Sequence, residues 1–234
     1  MKKLIIAAFA LSTAAGVFAQ GTVVFNNRIS GATINQTTHV WGPSTASPSL
    51  SLVGLGSNDS PSGSVNFAGQ GMSLIGADGS GGKYGWTTTF AQLLGAEGSN
   101  QAETSLKPVG QTTTFRSGTS LGDVATITST LSGSPGISSA APFATFELVA
   151  WDNSTGLYST WAQASVAWQL GTIAAGKSAP FNVSAIGGGL NTPPTLANMG
   201  QNLSSFNLYF IPEPSSMALA GLGAAALMIF RRRK

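Results

Sequence analysis

An uncharged apolar run from Met217 to Phe230, entered through Pro212-Glu213-Pro214 and closed by Arg231-Arg232-Arg233-Lys234, sets the downstream limit of what this chain can fold as a globular body. The two prolines hold the backbone extended and block any helix arriving from upstream. A helix can therefore start only at Ser215 or Ser216, both good N-caps. A run of about fourteen residues is shorter than the roughly twenty that cross a hydrocarbon core, a mismatch that snorkelling arginines and local thinning absorb. The four cations stop insertion on the cytoplasmic side. The expected arrangement is a membrane helix over about 215–230 with a basic stop at 231–234, held in the inner membrane with Lys234 inside. A buried C-terminal helix would tolerate neither the basic end nor the proline approach.

The other end is bounded in the same way. Lys2 and Lys3 precede an apolar stretch from Leu4 to Val17, and Val17-Phe18-Ala19 puts small residues where a signal peptidase reads them. Cleavage is expected between Ala19 and Gln20, which makes residues 1–19 a Sec-type signal peptide and leaves 20–211 as the body.

The order Pro212-Glu213-Pro214, membrane helix, basic stop closely resembles the PEP-CTERM sorting signal of exported bacterial proteins. That resemblance implies processing by exosortase, a membrane protease-transpeptidase, and passage through an inner-membrane-anchored stage to the cell surface or extracellular matrix. In the body, Gln20-Gly21-Thr22-Val23-Val24-Phe25-Asn26-Asn27, Thr113-Thr114-Phe115-Arg116, Val149-Ala150-Trp151-Asp152, Gly176-Lys177-Ser178 and Pro193-Pro194 before Phe206-Asn207-Leu208 resemble a recurrent set of such proteins, whose body domain has no established activity. Residues 42 to 82 read as an insertion. The resemblance implies an address rather than a reaction.

Setting the two ends aside changes the charge argument. The body keeps five cations (Arg28, Lys83, Lys107, Arg116, Lys177) against seven acids (Asp59, Asp78, Glu97, Glu103, Asp123, Glu147, Asp152), a net charge of −2. The chain's basic balance therefore belongs to its targeting segments. No nucleic-acid partner is expected, because that needs cations clustered on one face. Without cysteine there are no disulfides, thiol chemistry or thiolate metal sites.

Gly, Ser, Thr, Asn and β-branched residues dominate the body, a composition that favours strands and turns. Strands are expected at Thr22–Asn26, Trp86–Leu94, Thr112–Phe115, Asp123–Thr130, Ala144–Trp151, Pro180–Val183 and Ser205–Ile211, each bounded by Gly, Pro, Asn or Asp. The fold class is all-β, an antiparallel β-sandwich of jelly-roll-like or Ig-like type. Its core should hold Val23, Phe25, Phe115, Ile127, Phe146, Leu148, Phe206, Leu208 and Phe210 between two antiparallel sheets. Leu157, Trp161, Ala164 and Trp168 recur at helical spacing and predict a short helix near 159–169. Residues 42–83, rich in Pro, Ser and Gly, read as a long surface excursion with weak strands around Leu50–Leu55 and Val65–Leu74.

Several strings imitate catalytic motifs. Gly171 to Ser178 fits the phosphate-cradling G-x-x-x-x-G-K-[ST] loop, but Pro180 and a strand follow where that loop needs a helix. Gly118-Thr119-Ser120-Leu121-Gly122 fits a nucleophile elbow, yet the only histidine, His39, lies upstream of it. Ser80-Gly81-Gly82-Lys83 fits S-x-x-K, but its glycines oppose a helix. Glu147 and Asp152 are the candidate carboxylate pair for glycoside hydrolysis, although Glu147 on a solvated face or paired with Arg116, and Asp152 in a turn, is the simpler account. A calcium site at Asp78 or Asp152 lacks a series of acids. With a single histidine, no metal centre and no cofactor are expected.

Trp41, Trp86 and Trp151 remain as candidate sugar contacts, since exposed indoles stack on sugar rings, while core burial is their commoner fate. The reading is a non-enzymatic exported protein with a structural or adhesive role. A carbohydrate-binding module associated with exopolysaccharide is the alternative.

Overall fold

The computed structural model describes residues 20–30, 35–133, 135–189, 191–197 and 202–212. Its strands are β1 (Thr22–Phe25), β2 (Arg28–Ser30), β3 (Asn35–Thr37), β4 (Val40–Trp41), β5 (Val53–Gly54), β6 (Thr89–Glu97), β7 (Lys107–Thr113), β8 (Ile127–Thr130), β9 (Phe143–Asp152), β10 (Ala175–Lys177), β11 (Phe181–Ser184) and β12 (Ser205–Asn207). Among the described residues one α-helix, α1 (Trp161–Gln169), lies between β9 and β10.

Strand β9 organises the body. Its sequence is almost continuously apolar, the pattern of a strand covered on both faces, and every residue after Phe143 is buried. One edge pairs antiparallel with β6 along its full length, from Thr89 opposite Asp152 to Glu97 opposite Ala144. The other edge pairs first with β10 and then with β11. Between those two strands, the Ser178 amide donates to the Leu148 carbonyl at 2.9 Å, and Ser178 Oγ accepts from the Leu148 amide at 3.0 Å. The serine hydroxyl thus replaces a backbone acceptor where the edge strand breaks, so the buried ladder stays satisfied. The pairing order is β10-β9-β6-β7, with β11 also on β9.

The register between β6 and β7 shifts at a bulge between Ala91 and Leu93. Gly110 sits there at φ 71°, and a Cβ on it would fall 2.0 Å from Ser129 Oγ. Only glycine meets both the left-handed backbone and the close approach.

Side-chain alternation along β9 divides two apolar clusters. Ala144, Phe146, Leu148 and Ala150 share a core with Ala91 and Leu93 of β6, Phe181 and Val183 of β11, Val23 and Phe25 of β1, and Phe206 and Leu208. Val149 and Trp151 point the other way and pack with Leu94, Leu106 and Ala175 against Trp161, Ala164, Ala167 and Trp168 of α1. The helix starts at a capping box in which Thr160 accepts from the Gln163 amide and Gln163 reaches back to the Thr160 amide. Rings step from Phe90 to Trp151, Trp161, Trp168 and Tyr209 at centroid distances of 5.1–5.9 Å.

The fold is mostly β with one short helix, and the helix falls where the spacing of Leu157, Trp161, Ala164 and Trp168 predicts it. Of the expected core, Val23, Phe25, Phe115, Phe146, Leu148, Phe206 and Leu208 are buried, while Ile127 and Phe210 are partly buried against them. Two corrections follow from the pairing. The strands form four sheets rather than two, and β12 pairs parallel with β4 but antiparallel with β5. The region 42–83 is also packed rather than a bare surface excursion. Trp41 stacks on Phe67 at 5.3 Å and 4°, and Met72 is buried with them. The strand at β7 begins at Lys107, ahead of the expected Thr112, because the bulge at Gly110 breaks the alternation that marks a strand in sequence.

Candidate functional site

Three places bring chemistry-bearing side chains together: the C-terminal exit, a cleft at Glu147, and a buried cluster around His39. At the exit, the Tyr209 amide donates to the Ala175 carbonyl at 2.9 Å and the Phe210 amide to the Pro48 carbonyl at 2.9 Å. Tyr209 and Ile211 pack against the α1 cluster, and Pro212 is exposed. Backbone pairing therefore runs to within two residues of the proline motif. Glu213, Pro214, the apolar run to Phe230 and Arg231–Lys234 lie outside the described residues, as does Ala19. Among the described residues no helix is long and apolar enough to cross a membrane. Gln20 is described, exposed and bridged to Ser138.

Glu147 lies on the outer face of β9, opposite Leu94 of β6. It is only 1% exposed, and its Oε2 has no hydrogen-bond partner. Burial pushes its carboxyl up to about 7, with Lys177 pulling it back and Glu103 adding to the rise. Above it, Lys177 from β10 is ion-paired with Glu103 from the loop after β6. Burial alone would lower the Lys177 ammonium, but the Glu103 hydrogen bond and the charges of Glu147 and Glu103 hold it above its ordinary value. Together with Val53, Ser178 and Tyr209 these residues line an open cleft of about 260 Å³. A near-neutral carboxylic acid beside an ammonium and a phenol ring can exchange hydrogen bonds with hydroxyl groups in either direction.

This geometry corrects the account of Glu147 as solvated or paired with Arg116. It also separates the Glu147/Asp152 pair, because odd and even positions of β9 face opposite sides of the sheet. Asp152 instead caps the turn that follows, accepting from the Ser154 amide at 2.9 Å.

The third cluster joins distant segments. His39 Nδ1 lies 2.7 Å from Asp59 Oδ1, and its Nε2 lies 3.9 Å from Asp123 Oδ1. Asp59 Oδ2 accepts from Ser205 Oγ at 2.7 Å and from the Gly56 amide. Arg28 donates to Asp123 Oδ2 at 3.1 Å and to Ser120 Oγ at 3.0 Å. Burial raises the Asp123 carboxyl, against the opposing pull of Arg28, His39 and Arg116. Ser120, the elbow serine, thus shares a network with His39, a convergence the chain order argued against. Its hydroxyl faces Arg28, and both His39 nitrogens face carboxylates, so the cluster ties the 42–83 region to the body.

The remaining look-alikes resolve into packing. Gly176 and Lys177 of the phosphate-loop match lie in β10, Ser178 patches β9, and the next element is strand β11 rather than a helix. A Cβ on Gly176 would sit 2.1 Å from the Asn207 carbonyl oxygen. The glycine is required by strand packing, not by a phosphate. Of the candidate sugar contacts, Trp151 is 0% and Trp41 5% exposed, and Trp86 is half-buried against the core. These three rings do not form an exposed stacking platform, because Trp151 is held in the ring ladder to α1, Trp41 is stacked on Phe67, and Trp86 packs against the core. Among the described residues no group of three or more His, Cys, Asp or Glu could hold a metal ion.

Comparison with protein families finds the PEP-CTERM protein-sorting motif at residues 210–234. The motif supports sorting of the chain as an exported substrate of exosortase. The motif starts at Phe210, the last of the described residues whose amide enters backbone pairing. No curated protein and no solved structure matches the chain.

Proposed function

We propose that this protein is delivered to the cell surface or extracellular matrix by its PEP-CTERM signal and acts there as a non-enzymatic structural or adhesive component. The observation that supports this reading is the junction at Phe210–Pro212, where the sorting motif begins as the backbone pairing of the described residues ends. Processing there would leave the ring ladder and both cores intact. Signal peptidase and exosortase are the processing partners, with an inner-membrane-anchored stage between them. The test is fractionation of cells expressing the full chain or a chain truncated after Ile211. The full chain should reach the surface only where exosortase is present, and the truncated chain should fold yet fail to be sorted.

A second reading, a carbohydrate-binding role within exopolysaccharide, rests on the cleft rather than on the buried tryptophans. Its Glu147 carboxyl, Lys177 ammonium and half-buried Tyr209 ring offer polar and stacking contacts to one sugar unit. At about 260 Å³ the cleft has room for little more. Titration of the body with isolated exopolysaccharide checks it. Heat release that disappears in Tyr209→Ala and weakens in Glu147→Gln supports the reading, and identical heats in all three proteins refute it.

A further inference from the structure

We propose that α1 and the loop entering it form a lipid-facing surface, on which the body rests against the membrane leaflet while its C-terminal segment is inserted. The inference rests on the membrane-anchored stage of the sorting reading.

Three independent observations meet at this surface. The first is exposed apolar area. Leu157 and Leu170 are each 67% exposed and Val166 is 57% exposed, the three most exposed of the five large apolar side chains open to solvent among the described residues. Ala162 and Val166 of α1 and its C-cap residue Leu170 follow one another at i, i+4 spacing and form a single stripe. Buried Trp161, Ala164 and Trp168 hold the opposite side of the helix on β9.

The second is charge. From Asn153 to Gly176 the chain carries no Asp, Glu, Lys, Arg or His. A solvent-facing helix ordinarily presents charged residues opposite its buried stripe, whereas this one presents Ala, Gln, Val and Leu. Nothing in the segment would be desolvated at high cost against headgroups, and nothing in it requires anionic lipid.

The third is the position of the tether. Trp168 Nε1 donates to the Tyr209 carbonyl at 2.8 Å, and Ile211 packs in the same cluster, so the chain leaves the body beside the end of α1. Five Cα-to-Cα steps separate Pro212 from Met217, the first residue of the apolar run. Fully extended they span no more than about 18 Å. An inserted run therefore keeps α1 close to the bilayer surface. At such an effective concentration a weak apolar contact is enough to orient the body. A second copy of the chain is the poorer occupant, because three exposed apolar side chains on and beside a nine-residue helix are far from the roughly 800 Å² per partner of a stable interface.

The chain has no cysteine, so single labels report single positions. Leu170→Cys, Val166→Cys, Leu222→Cys and Thr128→Cys, each in the full chain and carrying an environment-sensitive fluorophore, are reconstituted into phosphatidylcholine vesicles. Thr128 is exposed on β8, which lies across the five-stranded sheet from α1. Labels at 222, 170 and 166 should shift to the blue and lose most of their emission to a lipid-borne quencher, while the label at 128 keeps its emission. Quenching at 222 with emission at 170 and 166 unchanged overturns the seating and leaves the anchored stage standing. Emission unchanged at 222 overturns both. A label at 170 that is shielded from water but unreached by the lipid quencher assigns the face to a second copy and overturns the inference.

Discussion

Trp168 donates its indole N–H to the Tyr209 carbonyl at 2.8 Å while the two rings meet edge to face at 5.1 Å and 75°. This pair links α1, built from the segment after β9, to the last residues before the sorting motif. It also ends the ring ladder that begins at Phe90 under the five-stranded sheet. Loss of the pair should therefore loosen the helix and the exit together.

Trp168→Ala should lower unfolding free energy by about 3–5 kcal/mol, the usual result of removing a buried indole. Trp168→Phe keeps much of the ring contact and loses one hydrogen bond, so about 1–2 kcal/mol is expected. Urea unfolding of the body distinguishes the two. Equal losses for both variants would show that the hydrogen bond, rather than the packing, fastens the helix.

How far the chain announces this architecture depends on the distance over which each signal acts. Strand β9 and helix α1 are legible because their signals are local: an unbroken apolar run, and a 3.6-residue spacing opened by Thr160 with Gln163 three residues on. Strands β4 and β5 are two residues long, too short for any period to register. Strand β10 is hidden because Gly176-Lys177-Ser178 imitates a loop motif. The contacts of Gly176 with Asn207 and of His39 with Asp59 join segments that composition treats separately. Glu147 was readable in principle: β9 is apolar at both odd and even positions, so an acid within it had to be buried on one face or the other.

Glu147 should make stability fall as pH rises. Its carboxyl has a pKa of about 7 in the folded state against 4.5 for the free group, so between those values the folded chain holds a proton that the unfolded chain has released. Stability is then lost progressively from about pH 4.5 to about pH 7 and levels off above. Glu147→Gln, which mimics the protonated acid, should match the wild type near pH 4.5 and exceed it at pH 8. Thermal melts across this range decide it; parallel curves for the two proteins would remove Glu147 as the source.

Gly176→Ala should destabilise by about 1–3 kcal/mol, as a backbone clash in a packed region does, because its Cβ has no room beside the Asn207 carbonyl. Lys177→Ala should cost under about 1 kcal/mol, since its partner Glu103 is half exposed and the pair is screened by solvent. A phosphate loop would give the reverse ranking in nucleotide titrations, with Lys177 dominant. Micromolar nucleotide affinity lost on Lys177→Ala would contradict the strand assignment.

Asp59→Ala should free the 42–83 region. It leaves His39, the Ser205 hydroxyl and the Gly56 amide without their shared acceptor, and each buried polar group left unsatisfied costs about 1–3 kcal/mol. Limited proteolysis should then cut between residues 42 and 83 well before the rest of the body. Cleavage as slow as in the wild type would mean that the Trp41–Phe67 stack holds the region alone.

Processing at the C-terminus should be separable from folding, because the sorting motif begins where the backbone pairing of the described residues ends. In a host with exosortase the surface protein should begin at Gln20 and lack Met217 to Phe230, with the cut close to Pro212-Glu213-Pro214. Without exosortase the four terminal cations should hold the chain in the inner membrane with its body in the periplasm, since carrying them across the hydrocarbon core is costly. Glu213→Ala should leave thermal unfolding of the body unchanged while impairing release, because among the described residues packing runs to Ile211, two positions before Glu213. Mass spectrometry of released material gives the answer directly. A peptide spanning Met217 through Arg231 in that fraction would refute processing, and a Glu213→Ala protein released as efficiently as the wild type would take the motif's acid out of recognition.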